Sequence, residues 1–229
     1  MSADTRDRLV LVLDLDELDA ACRLAERLAP WFGTVKVGYA LYGTAGPQVF
    51  DALHERGLRV FADLKLHDIP TTVAHGARVL GRWGVEFLNF HAAGGVEMLR
   101  AGVDGLREGA RERGHGPPIA LGVTVLTSEA NADAFAERLV YARDAGCDGV
   151  VCAAREVPDA RRMGMRTMVP GIRLPGQPTD DQARVATPDE AIQCGADWLV
   201  VGRAITSAPD PEAAAAEITD LIDAVSRPR

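Results

Sequence analysis

Phe61–Thr72 reads FADLKLHDIPTT, and three charged residues, Asp63, Lys65 and Asp68, interrupt what is otherwise an apolar strand running into a helix. Strand side chains alternate faces, so Phe61, Asp63 and Lys65 share one face and Ala62, Leu64 and Leu66 the other. An Asp and a Lys on such a strand are costly unless they hold each other. At contact distance and an effective dielectric near 20, that attraction is on the order of 4 kcal/mol. The pair is therefore either a buried structural ion pair or a preorganised charged site at the C-terminal end of a strand. Asp63, His67 and Asp68 are also possible metal ligands. Lys65 among those carboxylates already supplies the countercharge, so no metal is expected, and His67 reads as a packed or hydrogen-bonded loop histidine.

Other expected strands end in polar residues too. The first ends at Asp14, on the face of Val10 and Val12, and the second carries Lys36 between Val35 and Val37. The fourth ends in Asn89 and His91, the fifth in Thr127 and Ser128, the seventh leads to Arg173, and the eighth to Gly202 and Arg203. Any one of these alone is an ordinary turn or cap residue. Gathered on one rim they make a site. Lys36 and Lys65 with Asp14, Asp63 and Asp68 form an alternating set in which each charge keeps its neighbour ionised. The segment Val169–Val185, VPGIRLPGQPTDDQARV, is rich in Pro and Gly and too long for a simple connection between strand and helix. Loops of that kind close over ligands. Arg173 and Gln182 are its anion donors. Arg203 adds a forked donor suited to phosphate oxygens, or else pairs with a nearby acid on the surface.

These residues must be positioned by the elements that carry them. Eight β-branched runs are legible: Leu9–Asp14, Thr34–Val37, Arg59–Lys65, Phe87–His91, Ile119–Leu126, Gly149–Cys152, Thr167–Ile172 and Trp198–Val201. Helical patterns follow at Glu17–Leu28, Pro47–Glu55, Thr71–Arg82, Val96–Glu108, Ala132–Ala145, Arg155–Met163, Pro188–Gln193 and Pro211–Val225. Strands alternating with helices imply a parallel sheet. Eight such units in 229 residues predict a closed (β/α)8 barrel, a TIM barrel, formed as a single domain over residues 1–229. A doubly wound open sheet is the alternative, weakened by the lack of GxGxxG after the first strand. Gly57, Gly84, Gly146 and Gly195 precede strands as helix C-caps do. In a barrel, chemistry sits at the C-terminal strand ends, and the loops after strands seven and eight frequently hold phosphate.

A formal net charge of −8 argues against general nucleic-acid or anionic-membrane binding, but leaves room for a small anionic ligand with a few local donors. The N-terminus MSADTRDR shows no apolar signal region. No apolar run approaches the ~20 residues of a membrane span. The four cysteines form no CxxC pair and read as small buried hydrophobes, so a reducing cytoplasmic setting is expected.

Taken together, the motifs DLKLHDIPTT (Asp63–Thr72), HAAGG (His91–Gly95), VTVLTS (Val123–Ser128), DGVVC (Asp148–Cys152), PGIR (Pro170–Arg173) and DQ..VATP (Asp181–Pro188) resemble the bacterial branch of the orotidine 5′-phosphate decarboxylase family. The resemblance runs over nearly the whole chain. DxKxxD alone is shared by related barrels, including hexulose-phosphate synthase and keto-gulonate-phosphate decarboxylase, which use a magnesium ion; a metal-dependent sugar-phosphate lyase is thus the competing reading. The IPTT continuation, PGIR and the Gln182/Arg203 pair favour the orotidylate enzyme. The resemblance implies decarboxylation of orotidine 5′-phosphate to UMP, the last step of UMP synthesis, without metal or organic cofactor. It implies Lys65 as proton donor to C6 and Asp63 beside the substrate carboxylate. Lys36 and Asp14 would orient the ribose hydroxyls and the charged network, and Thr127 would touch the base. Arg173, Gln182, Gly202 and Arg203 would hold the closed loop and the phosphate. Asp68 and Thr72 would reach into the neighbouring subunit's site, which implies a homodimer.

Overall fold

Eight parallel strands close on themselves in sequence order, β1-β2-β3-β4-β5-β6-β7-β8, so the expected barrel is the observed one. The structure, a computed structural model, describes residues 3–177 and 183–226. The strands are β1 (Leu9–Leu13), β2 (Thr34–Val37), β3 (Arg59–Leu66), β4 (Phe87–His91), β5 (Ile119–Val123), β6 (Gly149–Val151), β7 (Arg166–Val169) and β8 (Trp198–Val201). The helices are α1 (Ala3–Arg8), α2 (Leu18–Leu28), α3 (Tyr39–Ala45), α4 (Gln48–His54), α5 (Pro70–Arg82) and α6 (Gly95–Glu112). They continue with α7 (Phe135–Asp144), α8 (Val157–Arg162), α9 (Pro188–Gln193), α10 (Arg203–Thr206) and α11 (Pro211–Ser226). No described helix is long and apolar enough to cross a membrane.

Alternation along the strands builds two cores. Val10, Val12, Phe61, Phe87, Leu121, Met168, Trp198 and Val200 fill the barrel interior. There Phe87 meets Phe61 and Trp198 edge-on, with ring centroids 6.2 and 5.1 Å apart. The opposite faces, among them Leu9, Leu11, Leu13, Val35, Val37, Val60 and Leu88, pack under the helices in a larger apolar shell. Inward-pointing rows that are apolar low in the barrel turn polar at its C-terminal rim, which is how a packed core and a charged cleft coexist. At α5 and α6 the helices approach closely: a Cβ added at Gly105 or Gly109 would run into the α5 backbone at Ala74 or Arg78.

Several boundaries differ from the sequence reading. The helices α1, α3 and α10 were not expected; α3 in particular occupies a stretch with Gly43 and two tyrosines, poor in intrinsic helix signal. β5 stops at Val123, not Leu126. Beyond it Thr124 sends its hydroxyl to Val151 O (2.9 Å), while its carbonyl accepts from Arg138 (2.7 Å), and the chain leaves the ladder. β7 starts a residue early and ends at Val169, because Pro170 has no N–H to donate. Gly57, Gly84, Gly146 and Gly195 hold φ of 70°, 75°, 82° and 94°, the left-handed geometry of a helix C-cap. Cys22, Cys147 and Cys152 are buried and unpaired, and burial pushes the Cys147 thiol up to about 12, so it behaves as an apolar group.

Candidate active site

A cavity of about 500 Å³ opens among the C-terminal strand ends, within the ~300–1,000 Å³ range of small-molecule sites. Asp14, Lys36, Asp63, Lys65, Thr127, Arg173, Gly202 and Arg203 all line it, with Val12, Phe61, Val123 and Val200 as apolar floor and wall. The predicted residues thus converge from β1, β2, β3 and the loops after β5, β7 and β8. Gln182 lies outside the described residues.

Four of the five predicted charges form a continuous chain. Lys36 Nζ sits 3.5 Å from Asp14 Oδ1 and 3.1 Å from Asp63 Oδ2. Lys65 Nζ donates to Asp63 Oδ1 at 2.6 Å. Burial pushes the Asp63 carboxyl up, yet Lys36 and Lys65, with hydrogen bonds from Lys65 and Asn89, outweigh it and hold the group below the usual carboxylate range. Both Asp63 oxygens are therefore engaged by ammonium or amide groups. That arrangement suits a fixed charge array and leaves this carboxylate poorly placed to ligate a divalent cation.

β3 does not deliver these side chains by plain alternation. Its register with β4 pairs Ala62 with Leu88 and then jumps to Leu66 with Phe90, so four steps of β3 pass opposite two of β4. This bulge is a missed feature. Within it Lys65 has φ 44°; among the described residues it is the sole non-glycine with positive φ, a conformation costing roughly 1–2 kcal/mol. The face assignment survives: Asp63 and Lys65 line the cavity, while Leu64 and Leu66 pack outward.

The fifth predicted charge stands apart. Asp68 is exposed and its Oδ1 accepts the Ile69 N–H at 2.6 Å. Ile69 itself occupies the α5 N-cap position without a side-chain cap. Asp68 thus takes no part in the charge chain of its own protomer, and Thr72 is likewise exposed and outside the cavity lining. His67 is exposed and stacks on His91 with ring centroids 5.3 Å apart, in agreement with a packed loop histidine.

Three supporting features escaped the sequence. Tyr39, at the start of α3, donates its hydroxyl to Leu64 O (2.9 Å), and its ring lies 5.8 Å from Lys65 Nζ. Gly38 abuts the charge chain: a Cβ there would stand 3.1 Å from both Asp14 Oδ1 and Lys36 Nζ. Arg184 is buried and forms an ion pair with Glu156. Its Nη2 donates to Val125 O (2.8 Å) and Leu126 O (2.9 Å), and the Ala183 and Arg184 N–H groups bond Thr127 O at 3.0 and 3.2 Å. The base of the loop after β7 is thereby tied to the loop that carries Thr127. A charged pair separated by 28 residues has no local sequence signature.

The comparison with known proteins agrees with this geometry. The sequence model described as "Orotidine 5'-phosphate decarboxylase / HUMPS family" matches residues 7–218. An orotidine 5'-phosphate decarboxylase of Moorella thermoacetica is 44% identical, over 96% of this chain and 94% of that protein. One from Heliobacterium modesticaldum is 40% identical, over 95% and 96%. The crystal structure of orotidine 5'-phosphate decarboxylase from Lactobacillus acidophilus superposes with a TM-score of 0.77 at 37% identity, covering 95% of this chain and all (100%) of the other. A family match spanning most of the barrel, relatives of nearly equal length and a shared architecture place this chain in the orotidine 5'-phosphate decarboxylase / HUMPS family.

Proposed function

We propose that this chain decarboxylates orotidine 5′-phosphate to UMP and CO2, in the cytoplasm and without a metal or organic cofactor. The observation that carries the reading is the Lys65 ammonium, held at 2.6 Å by Asp63 on the wall of a cavity whose far rim carries Arg173 and Arg203. In the ring, β7, which leads to Arg173, is four strands from β3, and β8, which leads to Arg203, is three, so both guanidinium donors lie across the cavity from the β3 ammonium.

The chemistry follows from that polarity. The bond between C6 and the carboxylate carbon breaks, CO2 leaves, and the electron pair stays on C6 in the ring plane, where no adjacent π system delocalises it. A fixed ammonium lowers the energy of that charge at little reorganisation cost. Lys65 then transfers a proton to C6, giving UMP, and the neutral amine regains a proton from solvent. Asp63 holds the Lys65 ammonium in place and lies beside the substrate carboxylate, while Lys36 and Asp14 orient the ribose hydroxyls. Thr127 contacts the base. Arg173, Gln182, Gly202 and Arg203 hold the phosphate, and binding free energy at that remote group drives assembly of the closed site.

The second subunit belongs to the same proposal: Asp68 and Thr72 complete the neighbouring site of a homodimer. The large apolar side chains Tyr39, Ile69 and Val79 are 64%, 65% and 47% exposed, as side chains that meet a partner would be. Thr72 and Val79 are seven residues apart on α5 and share a helix face. The deciding assay follows orotidine 5′-phosphate absorbance with purified protein in EDTA. Full activity in chelator supports this reading. No turnover of orotidine 5′-phosphate, with magnesium-dependent lyase activity on a sugar phosphate instead, would assign the chain to the metal-dependent lyases of the same barrel.

A further inference from the structure

We infer that Asn89 is a positioning residue for the reaction: its side-chain amide takes the place of a sheet partner inside the β3 bulge and so fixes both Lys65 and Asp63. The inference rests on the proposed roles of those two residues and extends them to a group that never reaches the cavity.

Asn89 points into the barrel from β4 and is fully buried. A buried primary amide on an otherwise apolar strand is unfavourable unless its donors and acceptor are used. Its Oδ1 accepts the Lys65 backbone N–H at 2.7 Å, and its Nδ2 donates to Asp63 Oδ1 at 2.6 Å. The amide can face in one direction alone, since a backbone N–H demands an oxygen and an ionised carboxylate demands a donor. Ladder pairing between β3 and β4 stops at Ala62–Leu88 and resumes at Leu66–Phe90. The Lys65 N–H falls in that gap, and the Asn89 oxygen substitutes for the missing strand carbonyl.

Two consequences follow. Lys65 sits at φ 44°, a backbone conformation that persists where surrounding contacts over-determine it, and the Asn89 bond anchors that residue directly. Asp63 Oδ1 is shared between Asn89 Nδ2 and Lys65 Nζ, so the same amide sets the carboxylate rotamer that receives the ammonium. Asn is the side chain that does both. Asp would set a second carboxylate against Asp63, Leu keeps the shape but neither bond, and Gln is one methylene too long for the space.

The test compares Asn89→Leu and Asn89→Asp with the parent and with Lys65→Ala. Substrate turnover, UMP affinity and hydrogen exchange at the Lys65 amide are read on each. Asn89→Leu should lose at least about a hundredfold in kcat while UMP binds within about threefold, since the phosphate end is untouched. Its Lys65 amide should exchange at least about tenfold faster, reporting local opening of the bulge. Asn89→Asp keeps the acceptor for the Lys65 N–H, so its amide should stay protected, yet kcat should fall at least about tenfold as the new carboxylate repels Asp63. Turnover of Asn89→Leu within about threefold of the parent, or equal losses of kcat and UMP affinity, would overturn the inference. If Asn89→Leu does not fold, Asn89→Asp decides by the same limits on kcat and UMP affinity. Lys65→Ala separates the two levels. If it keeps normal turnover, the site assignment itself fails; if it is inactive while Asn89→Leu is normal, Asn89 alone is misassigned.

Discussion

Lys36→Met tests whether the charge chain is electrostatic or merely packed. Lys36 is 8% exposed, and its ammonium lies 3.1 Å from Asp63 and 3.5 Å from Asp14. At an effective dielectric of 20 the closer contact carries a gross attraction of about 5 kcal/mol. The Asp14 contact adds at most about 1 kcal/mol, because that side chain is 67% exposed and well screened. Removing one member of a buried pair costs about 3–5 kcal/mol, and since Asp63 keeps Lys65 and Asn89 as partners we place the loss near 3. For a chain of this size that is a fall of about 6–12 °C in Tm. The pH dependence has a definite sign. In the parent the Asp63 pKa is depressed, so its contribution is present above the unfolded carboxylate value and is lost as pH falls through the folded one. Without Lys36, burial drives the carboxyl upward, so the variant takes up a proton there first and the penalty is relieved in acid. Urea denaturation at pH 7 and about pH 4 should therefore show the stability gap narrowing at the lower pH. A gap of the same size at both pH values would refute the reasoning and assign the cost to lost packing of the lysine stem.

Lys65→Ala should keep UMP binding and retain less than about a tenth of turnover, a barrier increase above ~1.4 kcal/mol; greater retention would remove Lys65 from the reaction. Arg203→Ala should weaken substrate and UMP by about 1.5–3 kcal/mol for each charge-assisted hydrogen bond lost. It should leave a substrate analogue lacking phosphate unaffected; equal loss on both would mean a structural role. Gly38→Ala places a Cβ 3.1 Å from Asp14 Oδ1 and Lys36 Nζ, so kcat/KM should fall at least about tenfold with the barrel still folded; unchanged kinetics would show that the pair can shift freely. Asp68→Ala and Lys65→Ala proteins should each be nearly inactive, yet after subunit exchange the heterodimer should recover up to about half the parent activity, because one of its two sites carries neither defect. No recovery, with heterodimer confirmed by native mass spectrometry, would assign Asp68 to its own protomer.

The barrel was legible because alternation and helix periodicity are local signals. Val10 and Val12 against Leu9, Leu11 and Leu13 already separate the two cores that the fold builds. The charges were legible for the opposite reason: Lys36, Asp63 and Lys65 break the apolar rows that surround them, and a broken row at a strand end calls for a partner. What stayed hidden depends on contacts distant in sequence. Glu156 and Arg184 look like surface residues until the fold buries them together. Gly38 looks like a turn glycine until Asp14 and Lys36 stand on either side of it. Tyr39 belongs to a helix that composition alone disfavours. Asp68 stands close to the other charges in sequence, and in the fold it is exposed beside Ile69, away from the charge chain of its own protomer.

The β3 bulge links these observations. On a regular strand the Cα atoms of Asp63 and Lys65 would stand ~6.4–6.8 Å apart along one row, and the chain would continue straight toward Asp68. Here two extra residues lie opposite β4, Lys65 is in a left-handed conformation, and its ammonium stands 2.6 Å from Asp63. Beyond it His67, Asp68 and Ile69 are exposed, ahead of α5. A strained residue is tolerated there because groups on three elements hold it or its partners: Asn89 of β4 through the backbone N–H, Asp63 of the same strand through the ammonium, and Tyr39 of α3 through the adjacent Leu64 carbonyl. Lost conformational freedom at Lys65 is what an ammonium needs if it is to meet charge at a fixed point without rearranging. The strain and the proposed chemistry therefore fall on one residue for one reason: a lysine free to relax would stabilise the carbanion less than one already in place.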